Sequence, residues 1–93
     1  MNDLHDKVGL NLKKAQSHLQ KVVEMHEQKE YCIDIMQQTL AIMGLLKSAH
    51  QMLMEDHLNM CFSRAMDTTN ERRKEEMVAE ILKVTKLANK LSR

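Results

Sequence analysis

Nothing in this chain forces the backbone to turn. Its 93 residues include no proline and only two glycines, Gly9 and Gly44. Proline breaks helices and glycine weakens them, so a chain nearly free of both can stay helical over long stretches. Aromatic residues make up 2% of the chain while nine residues are methionine. Sheets favour aromatic and β-branched side chains, and this composition predicts an all-α fold instead. The length fits one small domain spanning residues 1–93. A few helices of this size bury only a modest core, so oligomerisation is the expected stabiliser. No apolar run approaches the roughly 20 residues of a membrane span. The start, MNDLHDKVGL, is mixed and charged rather than a secretion leader. The expectation is a cytoplasmic protein that does not touch membrane and whose two cysteines stay reduced.

Apolar spacing predicts three helices. The first runs from about residue 4 to 27, with Leu4, Val8, Leu12, Ala15, Leu19 and Val22 at steps of four and three. The polar block His26–Glu30 interrupts the seam, but no glycine or proline marks a turn there. The second helix runs from about 31 to 63. Its apolar residues, from Ile33 through Leu40, Met43, Leu46 and Leu53 to Met60, cover more than one face. That pattern predicts a central element buried on several sides. Gly44, in its middle, either breaks the segment into a hairpin or permits close helix packing; with no second turn residue beside it, close packing is the reading favoured. The third helix covers about 70 to 91. Thr68 and Glu71 fit a capping box, and Met77, Ile81, Val84, Ala88 and Leu91 form a stripe.

Three residues are candidates for metal chemistry. His57 and Cys61 are four apart with no helix breaker between them, so on a helix they share a face and can converge on one ion. The alternative is ordinary packing, since cysteine is often a small buried hydrophobe. Cys32 precedes His57 by 25 residues, roughly 37 Å on one continuous helix at about 1.5 Å per residue. A site holding all three must therefore be built across a subunit interface between antiparallel helices. Two thiolates and an imidazole are a soft, three-coordinate set that selects Cu(I), with Zn(II) next.

A second feature lies in the first helix. Between Lys7 and Val23 stand Lys7, Lys13, Lys14 and Lys21 and no acid. Lys7, Lys14 and Lys21 repeat every seven residues, with Asn11 and His18 between them on the same face. Such a face is either simply solvated or, repeated in a symmetric assembly, suited to DNA phosphates. No aromatic residues interleave with it, which excludes base stacking on single strands. The methionines read as core filler. There is no Gly-rich loop, and a Cys–His nucleophile needs a pocket that a chain this small can hardly form, so the chain is read as a non-enzyme.

Over roughly residues 7 to 91 the chain resembles the copper-sensitive operon repressor family, which also has nickel/cobalt and formaldehyde branches. The specific parts are Tyr31-Cys32-Ile33-Asp34-Ile35 and Leu53-Met54-Glu55-Asp56-His57-Leu58-Asn59-Met60-Cys61. The Cys–His–Cys spacing is similar to the Cu(I) branch. The resemblance implies a three-helix protomer, an antiparallel four-helix-bundle dimer and a dimer of dimers. It implies a Cu(I) site in which Cys32 of one protomer meets His57 and Cys61 of its partner, with Zn(II) or Ni(II) as alternative ions. It places Tyr31 and Glu80 in the outer shell, linking the coordinated imidazole to the third helix. It implies operator DNA held by Lys7, Lys13, Lys14, His18 and Lys21 and released when copper binds.

The chain also departs from the family. The arginine-rich first-helix motif reads Lys13-Lys14-Ala15-Gln16-Ser17-His18, and further basic positions hold Asn11, Gln20 and Glu24. Lysine loses the bidentate phosphate contact of arginine, and the other three lose the positive charge. Two other readings follow: a protein that binds or buffers copper without repressing transcription, and a thiol or persulfide sensor joining Cys32 and Cys61 across protomers.

Overall fold

The computed structural model describes residues 3–67 and 69–91, with Cys61, Phe62 and Ala65 described in backbone only. Among the described residues all regular structure is helical, as the composition predicts. The order is α1 (Asp3–Glu27), α2 (Cys32–Asp56), a π-helical segment (His57–Phe62), a four-residue α3 (Ser63–Met66) and α4 (Glu71–Leu91). The chain divides into two compact units, Met1–Asp56 and His57–Arg93.

The first unit is a hairpin in which α1 and α2 pack along their length. Its seam has a seven-residue repeat. Val8, Ala15 and Val22 are buried on α1, and Ile42 and Ala49 on α2, with Ile35 and Leu45 packed against them. A period of seven keeps one stripe facing a neighbouring helix over several turns. Leu12 and Leu19, part of the predicted stripe, lie outside the seam and are exposed. Asn11 and His18 occupy the intervening seam positions and are half-buried. The His18 imidazole donates from Nε2 to Oε1 of Gln38 on α2.

Helix α2 runs unbroken through Gly44, so the hairpin alternative is excluded. A Cβ at Gly44 would meet nothing within 4 Å, so no close packing within the protomer explains this glycine. Nor is α2 buried on several sides. Ile33, Met36, Leu40 and Met43 point away from α1, with Leu40 64% exposed.

The turn that the sequence leaves unmarked is a Schellman motif. Lys29 adopts φ 58°, and the Glu30 and Lys29 amides donate to the carbonyls of Met25 (3.0 Å) and His26 (3.1 Å). Those bonds satisfy carbonyls that the end of α1 would otherwise leave without partners. The Tyr31 carbonyl then accepts from Asp34 and Ile35, which starts α2 at Cys32.

The second unit opens on the π-helical segment. The predicted second helix, 31 to 63, is therefore α-helical only to Asp56, after which the turn widens. Ser63 supports it by donating its hydroxyl to the Leu58 carbonyl, 2.8 Å away and five residues back. Single π turns inside α-helices are rare and are common at functional sites. Helix α4 begins at Glu71, where Asn70 Oδ1 accepts the Arg73 amide at 3.2 Å. Asn70 is thus the N-cap; Thr68, from the predicted capping box, lies outside the described residues. Met77 is the buried residue of the α4 stripe.

Candidate metal centre

Cys32 is the first residue of α2, an exposed free thiol. Helix geometry places it on one face with Leu46 and Leu53, fourteen and twenty-one residues on, both exposed. On the α1 side Leu12 and Leu19 border the same edge of the hairpin. Together with Ala15, Ile42 and Leu46 they line an open apolar groove of about 440 Å³, rimmed by Lys13 and Gln16. Cys32 thus shares a helix face with two exposed leucines, with the exposed Thr39 between it and Leu46 at the step of seven.

His57 and Cys61 both lie in the π-helical segment. The His57 side chain is half-buried and engaged with a neighbour; the Cys61 side chain lies outside the described residues. Among the described residues no three of His, Cys, Asp and Glu converge where a cation could sit. The donor set itself, a free thiol, an imidazole and a second cysteine, is the soft set that copper chemistry asks for.

Of the two residues expected in the outer shell, Tyr31 is 69% exposed just before α2, and Glu80 is exposed on α4.

The basic face divides in two. Lys7, Lys14 and Lys21 are exposed along the edge of α1 opposite Leu12 and Leu19, and Lys7 pairs loosely with Asp3 at 3.4 Å. Lys13 is exposed elsewhere, at the groove rim. Asn11 and His18, predicted to share the lysine face, turn into the seam instead. A step of seven from Lys7 and a step of seven from Asn11 are different stripes, and the second coincides with the packing positions beside Val8 and Ala15. The sequence signal for this was the seven-residue spacing of Val8, Ala15 and Val22, masked by the leucines at steps of four.

The described residues thus form an all-helical chain with a thiol heading a long helix and a His-x₃-Cys segment following it. The family model for metal-sensitive transcriptional repressors matches residues 5–87, and the chain belongs to that family. It is 38% identical over 68 residues to the copper-sensing transcriptional repressor CsoR of Mycobacterium ulcerans (strain Agy99), covering 70% of this chain and 58% of that protein. It is 38% identical over 55 residues to the Mycobacterium tuberculosis (strain ATCC 25618 / H37Rv) protein of the same name, covering 59% of this chain and 46% of the relative. It is 28% identical over 81 residues to the CsoR of Bacillus subtilis (strain 168), covering 87% and 77%. The chain thus spans about half the length of the mycobacterial relatives it matches. No helix among the described residues is long and apolar enough to cross a membrane.

Proposed function

We propose that this chain is a Cu(I)-responsive repressor that holds double-stranded operator DNA and releases it when Cys32, His57 and Cys61 are drawn onto one ion. The carrying observation is the unbroken α2. Cys32 and Asp56 are its two ends, about 36 Å apart at 1.5 Å per residue, and His57 is the next residue in the chain. One protomer cannot supply both its early thiol and its late imidazole. An antiparallel partner can, and the exposed leucines Leu12, Leu19, Leu46 and Leu53 are where it would pack. Eighteen large hydrophobics are exposed among the described residues against five buried (Val8, Val22, Met25, Ile42 and Met77), too many for a stable lone protomer. The assembly is an antiparallel four-helix-bundle dimer paired into a tetramer, with residues 1–93 acting as one sensing domain.

Two thiolates and an imidazole select Cu(I), with Zn(II) or Ni(II) as the alternative occupants. Once His57 is a ligand through one nitrogen, its other nitrogen needs a partner; Tyr31 and Glu80 fill that role and pass the change to α4. Lys7, Lys13, Lys14 and Lys21 supply the phosphate contacts, and His18 fixes the register of α1 against α2 through Gln38. By linkage, DNA weakens copper binding by the factor with which copper weakens DNA binding. Cu(I) titration followed by X-ray absorption tests the site: a two-sulfur, one-nitrogen shell in the wild type loses its nitrogen in His57→Ala. A filled site with DNA affinity unchanged defeats the switch.

A second reading is a copper-binding protein with no operator. It rests on Gln20 and Glu24 lacking positive charge and on the half-buried Asn11. Absence of DNA binding even at low salt favours it. In a third reading, the exposed thiol of Cys32 joins Cys61 of a partner as a redox or persulfide sensor.

A further inference from the structure

We infer that the C-terminal half of α4 is a second, separate surface for the backbone of duplex DNA; this rests on the repressor reading and adds to α1 a contact on a different helix. Charge is segregated along α4. Its first half neutralises itself: Arg72 and Arg73 reach Glu76 at 3.6 and 3.3 Å, and Lys74 reaches Glu71 at 3.4 Å. From Ile81 to Leu91 the sequence ILKVTKLANKL contains no acid. Lys83, Lys86 and Lys90 are exposed there, three and four residues apart on one face, and none has an ion-pair partner among the described residues.

Like charges at these spacings repel and weaken an isolated helix. Lysines near a helix C-terminus do complement its dipole, but that benefit fades beyond the last turn. It covers Lys90 and leaves Lys83 and Lys86 unexplained. A linear polyanion explains all three. Lys83 to Lys90 covers about 10 Å of helix at 1.5 Å per residue, which matches about three phosphates of one DNA strand at roughly 3.4 Å each. Neither of the chain's two aromatics lies on α4, so the face has no platform for unpaired bases. Across the helix Met77 is buried and Ile81 and Ala88 are half-buried. Part of the apolar face that a lipid surface requires is packed away, while Leu82, Leu87 and Leu91 stay exposed on the same half of α4, so vesicle binding is an arm of the test.

The test measures binding of the full chain to a short labelled duplex of mixed sequence as salt is raised. The probe reads phosphate contacts whatever the operator is. Replacing Lys83, Lys86 and Lys90 with glutamine should lower the steepness of log affinity against log salt by about 3 per engaged protomer. Arginine at the same three positions should keep it, and helicity by circular dichroism should be unchanged in both. Lys7, Lys14 and Lys21 replaced with glutamine should lower the slope independently. If only the α1 variant lowers it, the α4 surface is refuted and the repressor reading stands. If the wild type ignores duplex even at the lowest salt, both fall. Loss of binding to phosphatidylserine vesicles in the α4 variant, with duplex binding intact, also overturns the inference.

Discussion

Replacing Lys29 with glycine should make this protein more stable. Lys29 sits at φ 58°, in the left-handed region, so that its amide and that of Glu30 can close the end of α1. The left-handed conformation costs an L-residue about 1–2 kcal/mol because its Cβ crowds a carbonyl. Glycine removes that cost, but its freedom in the unfolded chain returns roughly 0.5–1 kcal/mol. The difference is a gain of about 0.5–1 kcal/mol. In a domain of this size that raises the melting temperature by about 2–8 °C. The assay is thermal unfolding by circular dichroism at matched protein concentration, because assembly also shifts the midpoint. Lys29→Ala keeps the Cβ and should gain little; Lys29→Val should lose stability, since branching at Cβ worsens the same clash. Copper titration should be unaltered in Lys29→Gly, because Lys29 is no ligand. A glycine variant that melts at or below the wild type refutes the account of this turn.

Three further outcomes follow from the packing. A double-mutant cycle on His18→Ala and Gln38→Ala, read by urea unfolding, should give a coupling of about 0.5–1.5 kcal/mol; zero coupling would mean the seam bond contributes nothing. Asn70→Ala should destabilise by about 1 kcal/mol and Asn70→Asp should not, because aspartate also accepts the Arg73 amide. Leu46→Lys and Leu12→Lys place charge in the uncovered groove. Sedimentation should show a shift toward smaller species, and an unchanged mass would move the interface elsewhere.

The helical class and the extents of α1 and α4 were legible because apolar periodicity runs through them without a breaker. The end of α1 was not, because lysine stands where glycine usually signals the turn, and the backbone geometry that demands a left-handed residue is invisible in composition. The π-helical segment was not legible either: His57 to Phe62 contains no glycine or proline, and the widening shows in the backbone and in Ser63 reaching back to Leu58. Gly44 misled in a different way. The unbroken helix excludes the hairpin reading, and a Cβ there meets nothing within the protomer, so close packing at this glycine needs a second copy. Of the candidate site, residue types and spacings were readable, along with the length of helix that separates Cys32 from His57. The separation of His18 from the lysine edge needed coordinates, since only the observed seam decides which of two adjacent stripes faces α2.

The central claim is that one protomer's Cys32 completes a site begun by its partner's His57 and Cys61. The most direct measurement mixes two inactive variants, Cys32→Ser and Cys61→Ser, after denaturing and refolding them together, and counts Cu(I) bound against a competing chelator. Each variant alone should hold no tight copper. In a mixed dimer one site keeps all three natural donors and the other loses both thiols, so the mixture should recover one tight copper per mixed dimer. A mixture as empty as its parents, or a Cys32→Ser variant that still binds copper tightly by itself, would contradict the account.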